Sequence, residues 1–324
     1  MYVPQTYATA LVLMLASMVF WGSWPNFLKK LPGWRLEYFY IDYTLGFLVT
    51  ALLYGIFIGP GDGLGFLAVM AQAGARETMF AVVGGFIWNI GNILLLNGIV
   101  IAGLAVAFPI AAIPAIVIGI GAAYWLQPIG DAMTLATSAV ILLVAAGATA
   151  LAYRGLGHVT SGDKTKGIAV SLISGLLIGF FPPFVTAAIS GPGALDPYTV
   201  SAWYMVGATV ATFIAIPLIL RRPLVGGAGD LGGYTRGPAM CHILGWLAGA
   251  VWCSGTVLNF ISAGMVGVAI SIGIGSGSPM VGALWGVLVW GEFSQGSRTA
   301  RVFIAAALIL YAVGVGMMAI AYTT

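Results

Sequence analysis

The chain has 324 residues, of which 60% are hydrophobic and only 6% are charged. Soluble globular proteins carry roughly 25% charged residues, so this composition excludes that class. The formal net charge of +3 is informative only once the charges are assigned to the two sides of a membrane.

Long apolar stretches recur along the whole chain, and each is long enough to cross a bilayer as a helix. They predict an all-α integral membrane protein with ten transmembrane helices. The predicted spans are 6–28, 36–58, 78–101, 103–126, 131–153, 166–189, 198–220, 240–264, 266–290 and 300–322. The longest connections, 59–77 and 221–239, are rich in glycine and too short for a soluble catalytic domain.

Lysine and arginine are distributed unevenly between the predicted loops. Eleven of the 12 such residues flank odd-numbered connections: Lys29, Lys30, Arg35, Arg154, Lys164, Lys166, Arg221, Arg222, Arg236, Arg298 and Arg301. Only Arg76 follows an even-numbered span. Positively charged loops stay in the cytoplasm, so we expect a multi-pass protein of the cell inner (plasma) membrane with both termini outside. No basic segment precedes the first apolar run, so no cleaved signal peptide is expected.

Matching motifs divide the spans into two sets of five. The pattern Gly-x-x-Trp-x-x-Gly-polar occurs at Gly85–Asn92 in the third span and again at Gly249–Thr256 in the eighth, 164 residues later. Three further pairs keep nearly the same order and offset: Gly103 with Gly267, Pro114 with Pro279, and Pro25 with Pro183. The sequence therefore predicts two five-helix repeats, 1–155 and 156–324.

An odd number of spans in each half makes the two repeats inverted relative to each other. Inverted repeats with broken helices in matching places are typical of secondary transporters, whose site lies near the midplane between the halves. Proline interrupts a helix by removing a backbone donor. We expect such breaks at Pro25 in the first span and at Pro182–Pro183 in the sixth.

Polar and aromatic side chains at these depths are the candidate substrate ligands. Asparagine offers both a donor and an acceptor, and an aromatic ring can stack on a planar ligand. The predicted substrate-binding residues are Trp21, Trp24, Asn89, Asn92, Phe180, Phe181, Thr256 and Asn259. The competing interpretation is that the polar groups form hydrogen bonds between helices and that the aromatic rings only pack.

Two carboxylates are candidates for proton coupling. Asp42 lies inside the second span, where an ionisable group is costly and marks a functional site. Glu292 ends the ninth span. The alternatives are an ion pair of Asp42 with a lysine or arginine at the cytoplasmic edge, and one of Glu292 with Arg298 or Arg301.

Other chemistries have little support in the sequence. Residues 157–165 resemble a phosphate-binding loop, but Asp163 is inserted before the lysine and no strand precedes the segment. The sequence offers no zinc-type ligand spacing and no clustered nucleophile and base. Its histidines are His158 and His242, and its cysteines, Cys241 and Cys253, are expected to be packed residues. We therefore expect no enzyme activity, no metal, no cofactor and no nucleic-acid partner.

Several motifs resemble those of the ureide permease family, within the drug/metabolite transporter superfamily. They are Met1-Tyr2-Val3, Gly22-Ser23-Trp24-Pro25, Tyr40-Ile41-Asp42-Tyr43, Gly84-Gly85 with Gly91-Asn92, Leu284 to Phe293, and Ser297-Arg298. The resemblance implies ten spans and proton-coupled uptake of ureides or nucleobases such as allantoin or uracil. The chain has a shorter central loop than the plant members, and Gly255-Thr256 replaces the family's Gly-Asn in the eighth span.

The sequence leaves several alternatives open. The related glucose/ribose porters make a sugar a second candidate substrate, since an amide-rich aromatic cavity also suits a pyranose. A membrane-embedded enzyme or a channel fits less well, because the polar groups cluster at mid-depth rather than forming a continuous file. Glycine pairs such as Gly245/Gly249 could pack helices within the chain or between the chains of a homodimer. The expected partners are the substrate, a proton and the lipid bilayer.

The predicted orientation is testable with reporter fusions. Alkaline phosphatase fused to the C terminus should be active because it folds only outside the cytoplasm, whereas green fluorescent protein at the same position should be dark. The opposite pattern would reverse the predicted topology.

Overall fold

The computed structural model describes residues 1–156 and 163–323, and the regular secondary structure in these ranges is helical. Within these ranges, ten helices are long and apolar enough to cross a membrane: α1 (Tyr7–Lys30), α2 (Leu36–Ile58), α3 (Ala75–Ala102), α4 (Leu104–Leu126), α5 (Ala132–Arg154), α6 (Lys164–Ala188), α7 (Pro197–Arg221), α8 (Ala239–Val266), α9 (Val268–Val289) and α10 (Arg298–Ile320). The fold class predicted from the sequence is confirmed, with boundaries within a few residues of the prediction.

Helix α1 changes its winding at the predicted proline break. It is α-helical over Tyr7–Ser23 and continues as a 3₁₀ helix over Trp24–Lys30, with Pro25 in its first turn. Proline fits the first turn of a helix because its missing N–H would have no intrahelical partner there. The break therefore places Trp24 at the junction of the two segments.

Helix α6 differs from the prediction, because it runs without interruption from Lys164 to Ala188 through Pro182 and Pro183. The expected break at this point was wrong. The two prolines leave the carbonyls of Ile178 and Gly179 without their regular donors, but flanking helices pack closely enough to hold the helical path. Neighbouring protein commonly stabilises proline within membrane helices in this way.

In the second half of the chain, helix α9 is interrupted, whereas α6 is not. It consists of Val268–Gly275, Ser278–Leu284 and a wider π-helical turn at Trp285–Val289. Pro279 lies in the first turn of the middle segment. The interruption at residues 276–277 has no counterpart in the spans predicted from the sequence, which treated 266–290 as one helix.

Two glycines end helices of equal length in the same conformation. Gly103 ends the 28-residue α3 with φ 81° and ψ 155°, and Gly267 ends the 28-residue α8 with φ 83° and ψ 153°. This left-handed region favours glycine because it carries no Cβ. Each glycine lets the next transmembrane helix, α4 or α9, begin within one residue.

The helices from the two halves of the chain are interleaved. Helix α3 packs against α6 and α7, and α6 also packs against α4. Helix α8 packs against α1 and α2, and α1 also contacts α9. Helices α5 and α10 pack against each other. The ranges 1–155 and 156–324 therefore do not fold as separate bodies.

Close backbone contacts occur twice in related positions. A Cβ atom at Gly85 of α3 would overlap the carbonyl oxygen of Tyr204 in α7, and one at Gly249 of α8 would overlap that of Tyr43 in α2. Gly85 and Gly249 are 164 residues apart, and Tyr43 and Tyr204 are 161 apart. Small residues allow such close approach of membrane helices.

The reciprocal contacts of the same helix pairs follow the same spacing. Gly207 of α7 abuts the carbonyl oxygen of Val82, and Gly46 of α2 abuts that of Trp246. Gly245 packs against the side chain of Asp42. The glycines of the Gly245/Gly249 pair are therefore used in packing within the chain.

Replacing Gly85 by alanine should destabilise the fold. The added methyl group meets backbone rather than a movable side chain, so Gly85→Ala should cost about 1–3 kcal/mol. Gly147→Ala, inside α5 with no heavy atom within 4 Å of the added Cβ, is the matched control and should leave stability unchanged or slightly raised. Thermal unfolding in detergent measures both, and equal unfolding temperatures would contradict the packing described for α3 and α7.

Candidate substrate-binding cavity

A cavity of about 220 Å³ lies between the interleaved helices. Its aromatic walls are Trp21, Trp24, Trp88, Phe181, Tyr204 and Trp252. Its polar groups are Asn92, Thr256, Ser276 and Ser278. Among the described residues, no charged side chain lines this cavity. It can therefore accommodate a small uncharged molecule that combines a flat face with hydrogen-bonding edges.

Two tryptophans from corresponding motifs meet in the wall of the cavity. Trp88 and Trp252 are each the fourteenth residue of a 28-residue helix. Their rings stack with centroids 4.1 Å apart and an interplanar angle of 18°. The Gly-x-x-Trp-x-x-Gly pattern thus places one indole from each half at mid-depth.

The two polar residues that end these motifs are held by different neighbours. Asn92 donates from Nδ2 to the hydroxyl of Tyr40 over 2.6 Å, which leaves the other end of its amide to the cavity. Thr256 accepts a bond from Trp21 Nε1 over 3.1 Å and donates to the carbonyl of Trp252 over 3.2 Å. Both side chains are buried, so a ligand would meet them in water-poor surroundings.

A larger space of about 410 Å³ adjoins the cavity, and we call it the vestibule. It shares Trp21, Trp24, Asn92, Leu95 and Ser278 with the cavity. Its other end is polar and charged, with Asn26, Lys29, Thr149, Tyr153 and Glu292. The vestibule thus extends from the cavity to the end of the bundle that carries the positively charged loops.

One wall of the vestibule is fastened by three polar contacts between α1 and the end of α9. Trp285 Nε1 donates to Ser23 Oγ over 2.9 Å, and Trp290 Nε1 donates to Asn26 Oδ1 over 2.5 Å. Lys29 forms an ion pair with Glu292. The three residues of α1 that make these contacts, Ser23, Asn26 and Lys29, are each three positions apart. Residues three apart lie on one face of a 3₁₀ helix, so all three side chains face α9.

Three of the predicted substrate ligands lie away from the described cavities. Asn89 donates to the carbonyl of Ala208 and to Thr212 Oγ1, both over 2.6 Å, and so links α3 to α7. Asn259 donates to the carbonyl of Ser271 over 2.8 Å and links α8 to α9. Phe180 is 47% exposed on the outer surface of the bundle. The two asparagines match the competing interpretation of hydrogen bonds between helices, and Phe180 lines neither described cavity. Trp21, Trp24, Asn92, Phe181 and Thr256 line the cavity.

Asp42 lies apart from the cavity, in a cluster beside the connection that precedes α8. The hydroxyl of Tyr234 donates to its Oδ1 over 2.7 Å, and its Oδ2 lies 2.8 Å from Nδ1 of His242. Burial and the bond to Asp42 raise the pKa of Tyr234 above its usual value. The expected alternative partner, a lysine or arginine, is not the one found, because the neighbouring α8 supplies a histidine instead.

Glu292 also has partners other than those expected. It pairs with Lys29 and accepts a hydrogen bond from the hydroxyl of Tyr153 over 2.9 Å. The alternative of a pair with Arg298 or Arg301 is therefore not what is formed. A lysine distant in sequence is brought close because the 3₁₀ segment of α1 ends beside α9.

Several cavity residues were not predicted from the sequence. Tyr204, Ser276 and Ser278 line the cavity without having been singled out. Trp88 and Trp252 were used only as markers of the repeat, although their recurrence was a signal for the site. The loop that resembles a phosphate-binding motif, including His158, lies mostly outside the described residues.

Comparison with known proteins supports a transporter. No family model matches the chain. It is 23% identical to ureide permease 1 and 21% identical to ureide permease 2 of Arabidopsis thaliana, in each case over 98% of both chains. It is 26% identical to the glucose uptake protein GlcU of Bacillus subtilis (strain 168), over 92% of this chain and 93% of that protein.

A solved crystal structure also shares the fold. It superposes with a TM-score of 0.61 over 96% of both chains at 12% sequence identity. The motif resemblance seen in the sequence is thus confirmed by relatives aligned over nearly the whole chain. The chain is similar to the ureide permeases along nearly its full length, and it is a multi-pass membrane transporter of small metabolites rather than an enzyme.

Proposed function

We propose that the chain is a secondary active transporter that takes up a ureide such as allantoin, or a nucleobase such as uracil, together with a proton. The uncharged cavity of stacked aromatic rings around Asn92 carries this proposal. Its similarity to ureide permeases over 98% of the chain supports the same ligand class.

The size and charge of the cavity limit the ligand. Pockets for drug-sized molecules measure roughly 300–1,000 Å³, so a cavity of about 220 Å³ fits a smaller metabolite. A charged ligand would be left without a counter-ion there, which is costly at low dielectric. A neutral planar heterocycle instead keeps its faces on the indoles and its amide edges on Asn92 and Thr256.

A sugar porter is the second candidate. The similarity to a glucose uptake protein over 92% of this chain favours it. Aromatic walls and an amide can also bind the apolar face and hydroxyls of a pyranose. Competition by glucose for a bound ureide or nucleobase separates the two ligand classes.

We further propose that the two halves are inverted repeats related by a pseudo-two-fold axis in the membrane plane. The related backbone contacts of α3 with α7 and α8 with α2 support it, as does the stack of Trp88 on Trp252. Rocking of the interleaved helices about this axis would open the cavity to each side in turn.

The orientation follows from the charged loops. With both termini outside, the vestibule faces the cytoplasm, so the described conformation is open to the inside. Lys29 and Glu292 then lie at its cytoplasmic end. Substrate entering from outside would leave through this space after the helices rock.

Asp42 and Glu292 are the proposed proton-coupling groups. Both would lie on the cytoplasmic side. Asp42 lies within hydrogen-bond distance of His242, and Glu292 accepts a hydrogen bond from Tyr153. His242 completes the Asp42 site because its Nδ1 lies 2.8 Å from Oδ2 of that carboxylate. Protonation of either carboxylate would weaken its contact and release the helix that its partner holds.

Removing Asn92 or Trp24 should weaken substrate binding. Asn92→Ala leaves a polar group of the ligand unpaired, a cost of roughly 1–3 kcal/mol. Trp24→Ala removes a wall of the cavity and should lower affinity by a similar amount. Binding of allantoin and uracil to purified protein measures the effect.

The control is Phe180→Ala, which changes a residue on the outer surface and should bind substrate as the wild type does. Asn89→Ala is not a suitable control, because it removes a hydrogen bond between α3 and α7. Normal affinity in both the Asn92 and Trp24 variants, with normal folding, would contradict the assignment of the cavity.

Replacing Asp42 by asparagine should uncouple transport from the pH gradient. Asparagine keeps the shape of the protonated acid but cannot release a proton. The variant should therefore exchange substrate across proteoliposome membranes at equilibrium and fail to accumulate it against a gradient. Glu292→Gln is tested in parallel, because loss of accumulation in that variant alone would move the coupling role to Glu292.

A further inference from the structure

Helix α2 contributes no side chain to the walls of the cavity, yet its Tyr40 and Tyr43 lie directly behind them. Tyr40 is 1% exposed, and its hydroxyl is bonded to the amide of Asn92 over 2.6 Å. The bond connects α2 to α3, both of which also pack against α7. Tyr40 is thus the described hydrogen-bond partner of the one amide in the cavity wall.

The neighbouring tyrosine supports the aromatic walls by packing. The ring of Tyr43 lies 4.9 Å from that of Trp24 and 6.1 Å from that of Trp252, measured between centroids. It also contacts the ring of Tyr40 at 5.4 Å. Within the described part of the chain, the Tyr43 hydroxyl has no hydrogen-bond partner. The two tyrosines therefore differ in that the Tyr40 hydroxyl is hydrogen-bonded to Asn92 and the Tyr43 hydroxyl is not.

We propose that Tyr40 is a positioning residue that holds one end of the Asn92 amide against α2 and so presents the other end to the substrate. This inference rests on the proposed function of the cavity. The terminal torsion of an asparagine side chain is broad and roughly two-fold, so packing alone does not hold the amide at one angle. The Tyr40 hydroxyl accepts a hydrogen bond from Nδ2, which leaves the amide oxygen for a ligand.

The arrangement selects a ligand by its hydrogen-bond chemistry. A fixed carbonyl accepts a bond from an N–H or O–H group and repels a carbonyl edge. A ureide or an imide-type nucleobase offers such N–H donors beside its carbonyls. Loss of the Tyr40 hydroxyl frees the amide to turn, so the ligand must then order it on binding.

A double-mutant cycle tests the inference. The affinities of allantoin and uracil are measured by titration calorimetry for the wild type, Tyr40→Phe, Asn92→Ala and the double variant. Tyr40→Phe should weaken binding about tenfold in the wild-type background, in line with the loss of one hydrogen bond. In the Asn92→Ala background it should change affinity less than about twofold, because the group it positions is gone.

Tyr43→Phe is the matched control, because it removes an unbonded hydroxyl from the same helix and should leave affinity unchanged in both backgrounds. Equal losses from Tyr40→Phe in the two backgrounds would overturn the positioning role, since a purely structural effect is additive. Unchanged binding in Tyr40→Phe would overturn it as well. Failure of the wild type to bind either compound contradicts the proposed ligand class, and this inference falls with it.

Discussion

Four contacts between glycine and a backbone carbonyl hold the centre of the molecule together. They bring α3 against α7 and α8 against α2 at distances that no side chain larger than hydrogen permits. Because hydrocarbon gives helices little reason to associate, close packing has to supply the attraction. The crossings also place the middle of α3 opposite the middle of α8, so that Trp88 and Trp252 stack between them.

The cavity is less symmetric than the packing that surrounds it. Asn92 and Thr256 occupy matching motif positions, yet one is held by a tyrosine and the other by a tryptophan. At one end of the bundle, polar side chains of α1 bond to residues at the end of α9, and Lys29 pairs with Glu292 there. Position 187, which lies 158 residues after Lys29, is an alanine. Under the repeat proposed here, the two ends of the transport path therefore differ in chemistry while sharing their packing.

Much of the fold could be predicted from the sequence, because an apolar stretch of about 20 residues is a strong signal for a membrane-spanning helix. The repeat offset also identified Trp88 and Trp252, and proline marked the change of winding at Trp24. The uninterrupted α6 was not predictable, because a proline kink or break is decided by the helices that pack around it. The interruption of α9 beyond Gly275 has Pro279 in the first turn after it, but that proline had been used only as a marker of the repeat.

The site was predicted in part for a similar reason. Depth in the membrane identified Asn89 and Asn259 as candidates, but the helical face decides whether an amide meets a cavity or a neighbouring carbonyl. The partners of Asp42 could not be read from the sequence, because His242 and Tyr234 lie about 200 residues away along the chain. Contacts of this kind depend on how α8 packs against α2.

The central claim is that the aromatic and amide cavity binds a neutral ureide or nucleobase. Thermal unfolding of the purified protein with allantoin, uracil or glucose tests it most directly, because a ligand that binds only the folded state raises stability by about 2.7 kcal/mol at a hundred times its dissociation constant. We predict that allantoin or uracil raises the unfolding temperature of the wild type. A rise with glucose alone, or with none of the three, would contradict it.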